Sequence, residues 1–214
     1  MSPLQFAVTR FLERRFWVET VTESEGSGPQ LVMDQSAEIQ PPREGAGPLN
    51  HRSYAIRISQ PDHDAARLLE LFRADPNRFS PHRLAVFVPD PAPEGLRIDD
   101  DVDVKIPGPW DGPVRVTRLD HCCIRLATRQ GHMEAGWIEF SASPEPDGTV
   151  IFMIESYARS GDPVFDTLYH RVGIAKYMQS EMWVQVLEAV LDASGGTRVG
   201  RIQLRTTIYK GADV

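Results

Sequence analysis

TVIFMIESYARSGDPVFDTLYHRVGIAKYMQSEMWVQVLEAVLDA, residues 149–193, switches its hydrophobic period part-way along. Phe152, Ile154 and Ser156 alternate with Glu155 and Tyr157, the two-residue repeat of a strand with one buried face. After Asp162-Pro163 the repeat changes, and Val164, Leu168, Val172, Ala175, Met178, Met182, Val186 and Val190 recur every three or four residues. That spacing predicts one long helix over 164–193 with a single apolar stripe, closed by Gly195-Gly196. A strand that hands over to a long amphipathic helix needs further sheet upstream to bury both. The preceding residues supply it.

Towards the N-terminus, Pro144-Glu145-Pro146-Asp147-Gly148 is a turn whose Asp-Gly pair favours a hairpin. Strand-like runs precede it at 136–142, 123–128 and 113–119, and at Val102, Val104 and Ile106. Residues 83–88 and 53–58 read as two more strands. Between them a helix is expected over 65–72, opened by Pro61-Asp62-His63-Asp64 and stopped by Asp75-Pro76. Downstream, residues 201–209 alternate as a further strand. Leu4, Val8, Phe11, Leu12 and Arg15 sit at helical spacing and predict a short helix over 4–18. The glycines and prolines of 23–50 read as a linker with one short strand near Leu31-Val32-Met33. Strand, helix, a run of antiparallel strands and a long helix imply an α+β fold. Its curved antiparallel sheet wraps around the C-terminal helix and leaves an internal cavity. The expected division is an N-terminal helix and linker extension at 1–50, a core domain at 51–193 and a C-terminal strand extension at 194–214.

Composition limits the function classes. The 214 residues carry 30 acidic and 23 basic side chains, a formal charge of -7, which argues against a general nucleic-acid binder. Only Lys105, Lys176 and Lys210 are lysines, an arginine bias expected from a GC-rich bacterial genome. No run of 18 apolar residues is available to span a membrane. Charged residues from Arg10 onward come too early for a signal-peptide core, so a cytoplasmic location is expected. Cys122 and Cys123 are adjacent, which excludes a disulfide framework. No phosphate-binding glycine loop or nucleophile elbow is present, and no cofactor is expected. Asp99-Asp100-Asp101-Val102-Asp103 would point successive carboxylates to opposite faces, and Asp120-His121-Cys122-Cys123 lacks a second ligand cluster. No metal site is expected.

Chemistry concentrates in Thr128-Arg129-Gln130-Gly131-His132-Met133-Glu134-Ala135-Gly136. On a strand, His132 and Glu134 would share a face with their α-carbons about 7 Å apart. An imidazole and a carboxylate so placed act as acid and base on a bound molecule, and they are read as catalytic. Tyr157 is added as a hydroxyl for hydrogen bonding or proton transfer.

The same segment, with Phe140, resembles the Thr-x-x-Gly-His-Pro-Glu-x-Gly-Glu signature of a poorly characterised family of small bacterial and plant proteins. The resemblance extends through Pro113-Val114-Arg115-Val116, Asp147-Gly148-Thr149-Val150, Phe152, Ile154, Tyr157 and Arg159 to Gln179 and Leu187, about residues 96–193. Met133 departs from it where proline is usual, and Trp137-Ile138 where an acidic pair is usual. That family is placed in the START-like, birch-pollen-allergen-like helix-grip superfamily, which implies a sheet gripping a C-terminal helix around a hydrophobic cavity. The resemblance sets the helix beside that cavity. Phe140, Phe152, Ile154, Gln179, Met182, Trp183 and Val186 are therefore read as ligand-binding. The expected ligand is an apolar, in one version polycyclic, small molecule. It would undergo cofactor-independent cyclisation, dehydration or isomerisation in bacterial secondary metabolism. Two alternatives stay open: a non-catalytic carrier or sensor, and an interaction module in which the N-terminal helix and the 201–209 strand form a homodimer contact.

Overall fold

Arg52, Tyr54, Ile56 and Ile58 are buried while the residues between them are half-exposed, so one strand declares an inside and an outside for the whole molecule. The computed structural model describes residues 17–26, 28–31, 38–90, 95–106, 111–161 and 174–211. In chain order the elements are β1 (Trp17–Ser24), β2 (Ala46–Ser59), α1 (Ala65–Ala74), β3 (Val86–Asp90), β4 (Asp101–Lys105) and β5 (Asp111–Leu119). They continue with β6 (Cys123–Thr128), β7 (Glu134–Pro144), β8 (Val150–Ser160), α2 (Ile174–Ser194), β9 (Thr197–Arg198) and β10 (Ile202–Tyr209). One sheet runs β1-β10-β2-β8-β7-β6-β5-β4-β3, with β9 pairing on β2. Every pairing is antiparallel except that of β1 with β10.

The fold is α+β: a large curved sheet closed over the C-terminal helix α2. Val184, Val186, Leu187 and Val190 of the helix are almost fully buried, while Gln185, Glu188 and Asp192 form the half-exposed to exposed stripe on its outer side. A second helix, α1, closes one end. Asp64 caps it by accepting the Arg67 N–H at 2.8 Å, and Leu68, Leu69 and Phe72 face inward. Asp75 stops it, passing its own N–H to Leu71 O before Pro76. Phe72 reaches Phe140 at 4.4 Å and Phe152 at 6.2 Å between ring centroids, so this end of the interior is filled by aromatic packing.

Several sequence expectations change here. The helix over 4–18 lies outside the described residues as far as residue 16, and its last two residues, Trp17 and Val18, open β1. The presumed linker contains a 3-10 turn at Pro42–Glu44 and the start of β2. Gly47 and Pro48 cause an irregular register there, which hid the strand. Leu31 is not in a strand, while Val32 and Met33 lie outside the described residues. The long helix is described only from Ile174. β10 lies inside the sheet, hydrogen-bonded to β1 on one edge and β2 on the other.

Candidate functional site

The Thr128–Gly136 turn is built by its own polar groups. The Thr128 hydroxyl accepts the Gly136 N–H at 2.8 Å, and its single proton is offered to Gln40 O at 2.9 Å and Gly136 O at 3.1 Å. This buried side chain laces the start of β7 to the end of β6 and to the segment crossing outside them. Gly131 turns the chain with a φ of 91°, a left-handed conformation that favours glycine. Gly136 allows close approach to β8: a Cβ there would lie 2.0 Å from Tyr157 O. The threonine and glycines thus fold the loop and fix which side chains it presents.

His132 is not on a strand, since β7 begins at Glu134. The ring folds back so that its Nδ1 lies 2.8 Å from Glu134 N and 3.0 Å from Glu134 O; the shorter contact has Nδ1 accepting the Glu134 N–H. The expected two-residue strand spacing is therefore replaced by a tighter side-chain-to-backbone bond, yet both side chains reach the cavity. Burial holds the imidazole below its ordinary pKa, overriding the opposing pull of Glu134. A neutral ring accepting at Nδ1 carries its proton on Nε2. That atom faces Gly112, where a Cβ would come within 3.2 Å, so the bare glycine leaves it room.

Glu134 is tied by a side chain that reaches across β8 on the inner face of the sheet. Arg52 of β2, 4% exposed, donates from one terminal nitrogen to Glu134 Oε1 at 2.8 Å. Tyr54, two residues on, is fully buried and hydrogen-bonded to Ser180 of α2, with burial raising its pKa. Neither Arg52 nor Tyr54 was foreseen as a functional residue. The signal was present: Arg52 continues the inward phase of Tyr54, Ile56 and Ile58, and an arginine on an apolar phase needs a buried partner.

His132 and Glu134 form part of the wall of a cavity of about 250 Å³ between sheet and helix. Thr128, Ser156 and Gln179 add polar atoms near them, and Leu84, Phe87, Val104, Ile106, Leu126 and Phe140 supply apolar surface. Met182 and Trp183 of α2 complete it, with Trp183 edge-on to Phe140 at 5.8 Å. Of the residues singled out from sequence, His132, Glu134, Phe140, Gln179, Met182 and Trp183 meet here. Phe152, Ile154 and Val186 do not line the cavity and are packed in the core, Phe152 with Phe72 of α1 at 6.2 Å. Tyr157 lies on the other face of β8, stacked on His51 at 4.1 Å and against Trp137 at 5.0 Å. Burial and the nearby Glu155 push its pKa up to about 12, and its hydroxyl does not reach the cavity.

Away from the cavity, Asp120, His121 and Cys122 bring one potential ligand atom each within 4.8 Å at the exposed β5–β6 turn. Asp120 already accepts the N–H groups of Cys122 and Cys123, both at 2.9 Å, and Arg118 Nε at 2.8 Å, which makes it the cap of that turn. Both cysteines are free thiols, and burial pushes Cys123 up to about 12. Among the described residues no helix is long and apolar enough to cross a membrane.

Residues 50–189, well over half of the chain, match the family described as a domain of unknown function, DUF1990. The chain belongs to the DUF1990 family. Three solved structures illustrate what this DUF1990 protein is similar to. A hypothetical protein from Helicobacter pylori shares 10% identity over 66% of this chain and 86% of its own, with a TM-score of 0.49. Norcoclaurine synthase from Thalictrum flavum shares 9% over 77% and 98%, also at 0.49. The di-domain ARO/CYC StfQ of the steffimycin biosynthetic pathway shares 13% over 72% and 52%, at 0.48. No curated protein matches this DUF1990 chain.

Proposed function

We propose that this DUF1990 protein binds an apolar small molecule in the cavity and catalyses proton transfer on it without a cofactor, as in cyclisation, dehydration or isomerisation. The observation that carries this reading is the placement of His132 and Glu134 together in the wall of a largely apolar cavity that Met182 and Trp183 also line. A carbonyl oxygen of the ligand would accept the Nε2–H of neutral His132. Glu134 would take a proton from the adjacent carbon. As charge moved onto the oxygen, the His132 hydrogen bond would strengthen, which is the differential stabilisation that catalysis requires. In a dehydration, Glu134 would return that proton to the departing hydroxyl, so that water leaves and the carboxylate is restored. A cytoplasmic setting in bacterial secondary metabolism is part of the same proposal.

The test uses α-tetralone, an apolar bicyclic ketone, in heavy water, with exchange of its α-protons followed by NMR. The wild type is expected to accelerate exchange over buffer. Glu134→Gln should remove about 10²–10⁴-fold of that acceleration, the usual range for a positioned base. His132→Ala should remove part of it. Binding without acceleration would replace the catalytic reading by that of a carrier or sensor using the same cavity.

A further inference from the structure

We infer that the cavity selects an uncharged ligand with a hydrogen-bond acceptor close to a donor, and that the buried Arg52–Glu134 pair sets this selectivity. The inference rests on the ligand-binding reading above and narrows it to a chemical class. Glu134 is part of the cavity wall and Arg52 is not, so the guanidinium neutralises the carboxylate from behind. Both side chains are largely buried, at 17% and 5% exposure, and the ion pair is therefore little screened by water. Among the described wall residues the only other titratable side chain is His132. Its Nδ1 is occupied by the Glu134 N–H, which leaves Nε2–H as a donor without a positive charge.

An ionic ligand would shed its hydration on entering this space and find no unpaired counter-charge among the described wall residues. An anion meets the Glu134 carboxylate first and reaches Arg52 only by breaking the pair. A cation meets a carboxylate whose charge is already balanced, with Arg52 repelling it from behind. A neutral molecule avoids both costs. Its carbonyl or hydroxyl oxygen accepts from His132 and its hydroxyl or N–H donates to Glu134, while its hydrocarbon surface lies against Phe140, Met182 and Trp183. Specificity here comes as much from what the site repels as from what it contacts.

Three probes of one shape and different charge decide the matter: β-naphthol, β-naphthoate and β-naphthylmethylammonium, titrated calorimetrically into the full chain at neutral pH. The wild type is expected to bind the naphthol at least about tenfold more tightly than either ion. In Glu134→Gln the amide oxygen still accepts from Arg52 but no longer balances its charge. The affinity for naphthoate relative to naphthol should then rise about tenfold, with a thermal melt checking that the variant is folded. If that variant does not fold, the wild-type panel suffices. Naphthoate or ammonium bound as tightly as naphthol by the wild type would overturn the charge argument and leave the ligand-binding reading intact. Failure of all three probes to bind would overturn that reading, and this inference with it.

Discussion

The two faces of β7 and β8 use similar side chains to different ends. On the outer face, Glu155 lies 2.7 Å from His51 Nε2, and Glu139 takes Arg125 Nε at 2.9 Å while that guanidinium sits 4.3 Å over the Trp137 ring. On the inner face, Glu134 takes Arg52 in the cavity wall. On the outer face His51 and Glu155 keep 22% and 26% of their side-chain surface exposed and Arg125 keeps 18%, so less is lost when a partner goes. On the inner face Arg52 keeps only 5%, so its charge must be met by buried partners, of which Glu134 is one. The two faces of one sheet thus separate a partly exposed ladder between neighbouring strands from a buried pair that reaches across β8, from β2 to β7.

The sharpest way to break this contrast is Arg52→Met, which leaves Glu134 facing the interior without a counter-charge. Urea unfolding should show a loss of about 3–5 kcal/mol, and a loss as small as that of a surface pair would erase the distinction between the faces. A smaller effect should come from pH. Burial holds His132 below its ordinary value of 6.5, so the unfolded chain binds the proton more readily. The stability this group contributes is complete above that value and is lost as pH falls through it towards the folded-state pKa. His132→Gln should remove that part of the acid dependence, which paired melts of the two proteins between neutral and mildly acidic pH would detect. The least effect is expected from Glu155→Gln on the outer face, at most about 1 kcal/mol in the same urea experiment. A larger loss there would mean that the outer ladder is not a surface feature.

Much of the fold was legible before any coordinates. Strand alternation, the Asp64 cap, the Asp147-Gly148 hairpin and the closing glycines after α2 are local signals, and each names an element without reference to its neighbours. The errors fall where geometry is non-local or irregular. β2 begins earlier than its clean alternation because Gly47 and Pro48 disturb the register. Tyr157 shares a strand with inward residues but has the opposite parity, and the choice of inner phase depends on what packs below. Phe152 and Ile154 have the inward parity and Val186 lies on the apolar stripe of α2, yet all three are packed in the core. Leu84, Phe87, Val104 and Ile106 line the cavity although their strands gave no hint of it, since sequence alone does not say which part of a curved sheet faces an opening.

The amino-acid order determined that this chain would make an antiparallel sheet and a long C-terminal helix, because hydrophobic period and turn chemistry act over a few residues. It also placed His132 and Glu134 in one short turn with the threonine and glycines that shape it. Only the tertiary structure decided that β10 would enter between β1 and β2, and that Arg52 would arrive behind Glu134 from 82 positions earlier in the chain. Strand neighbours are chosen by burial of a whole face, an energy no local segment contains. The charge class of the cavity depends on that choice.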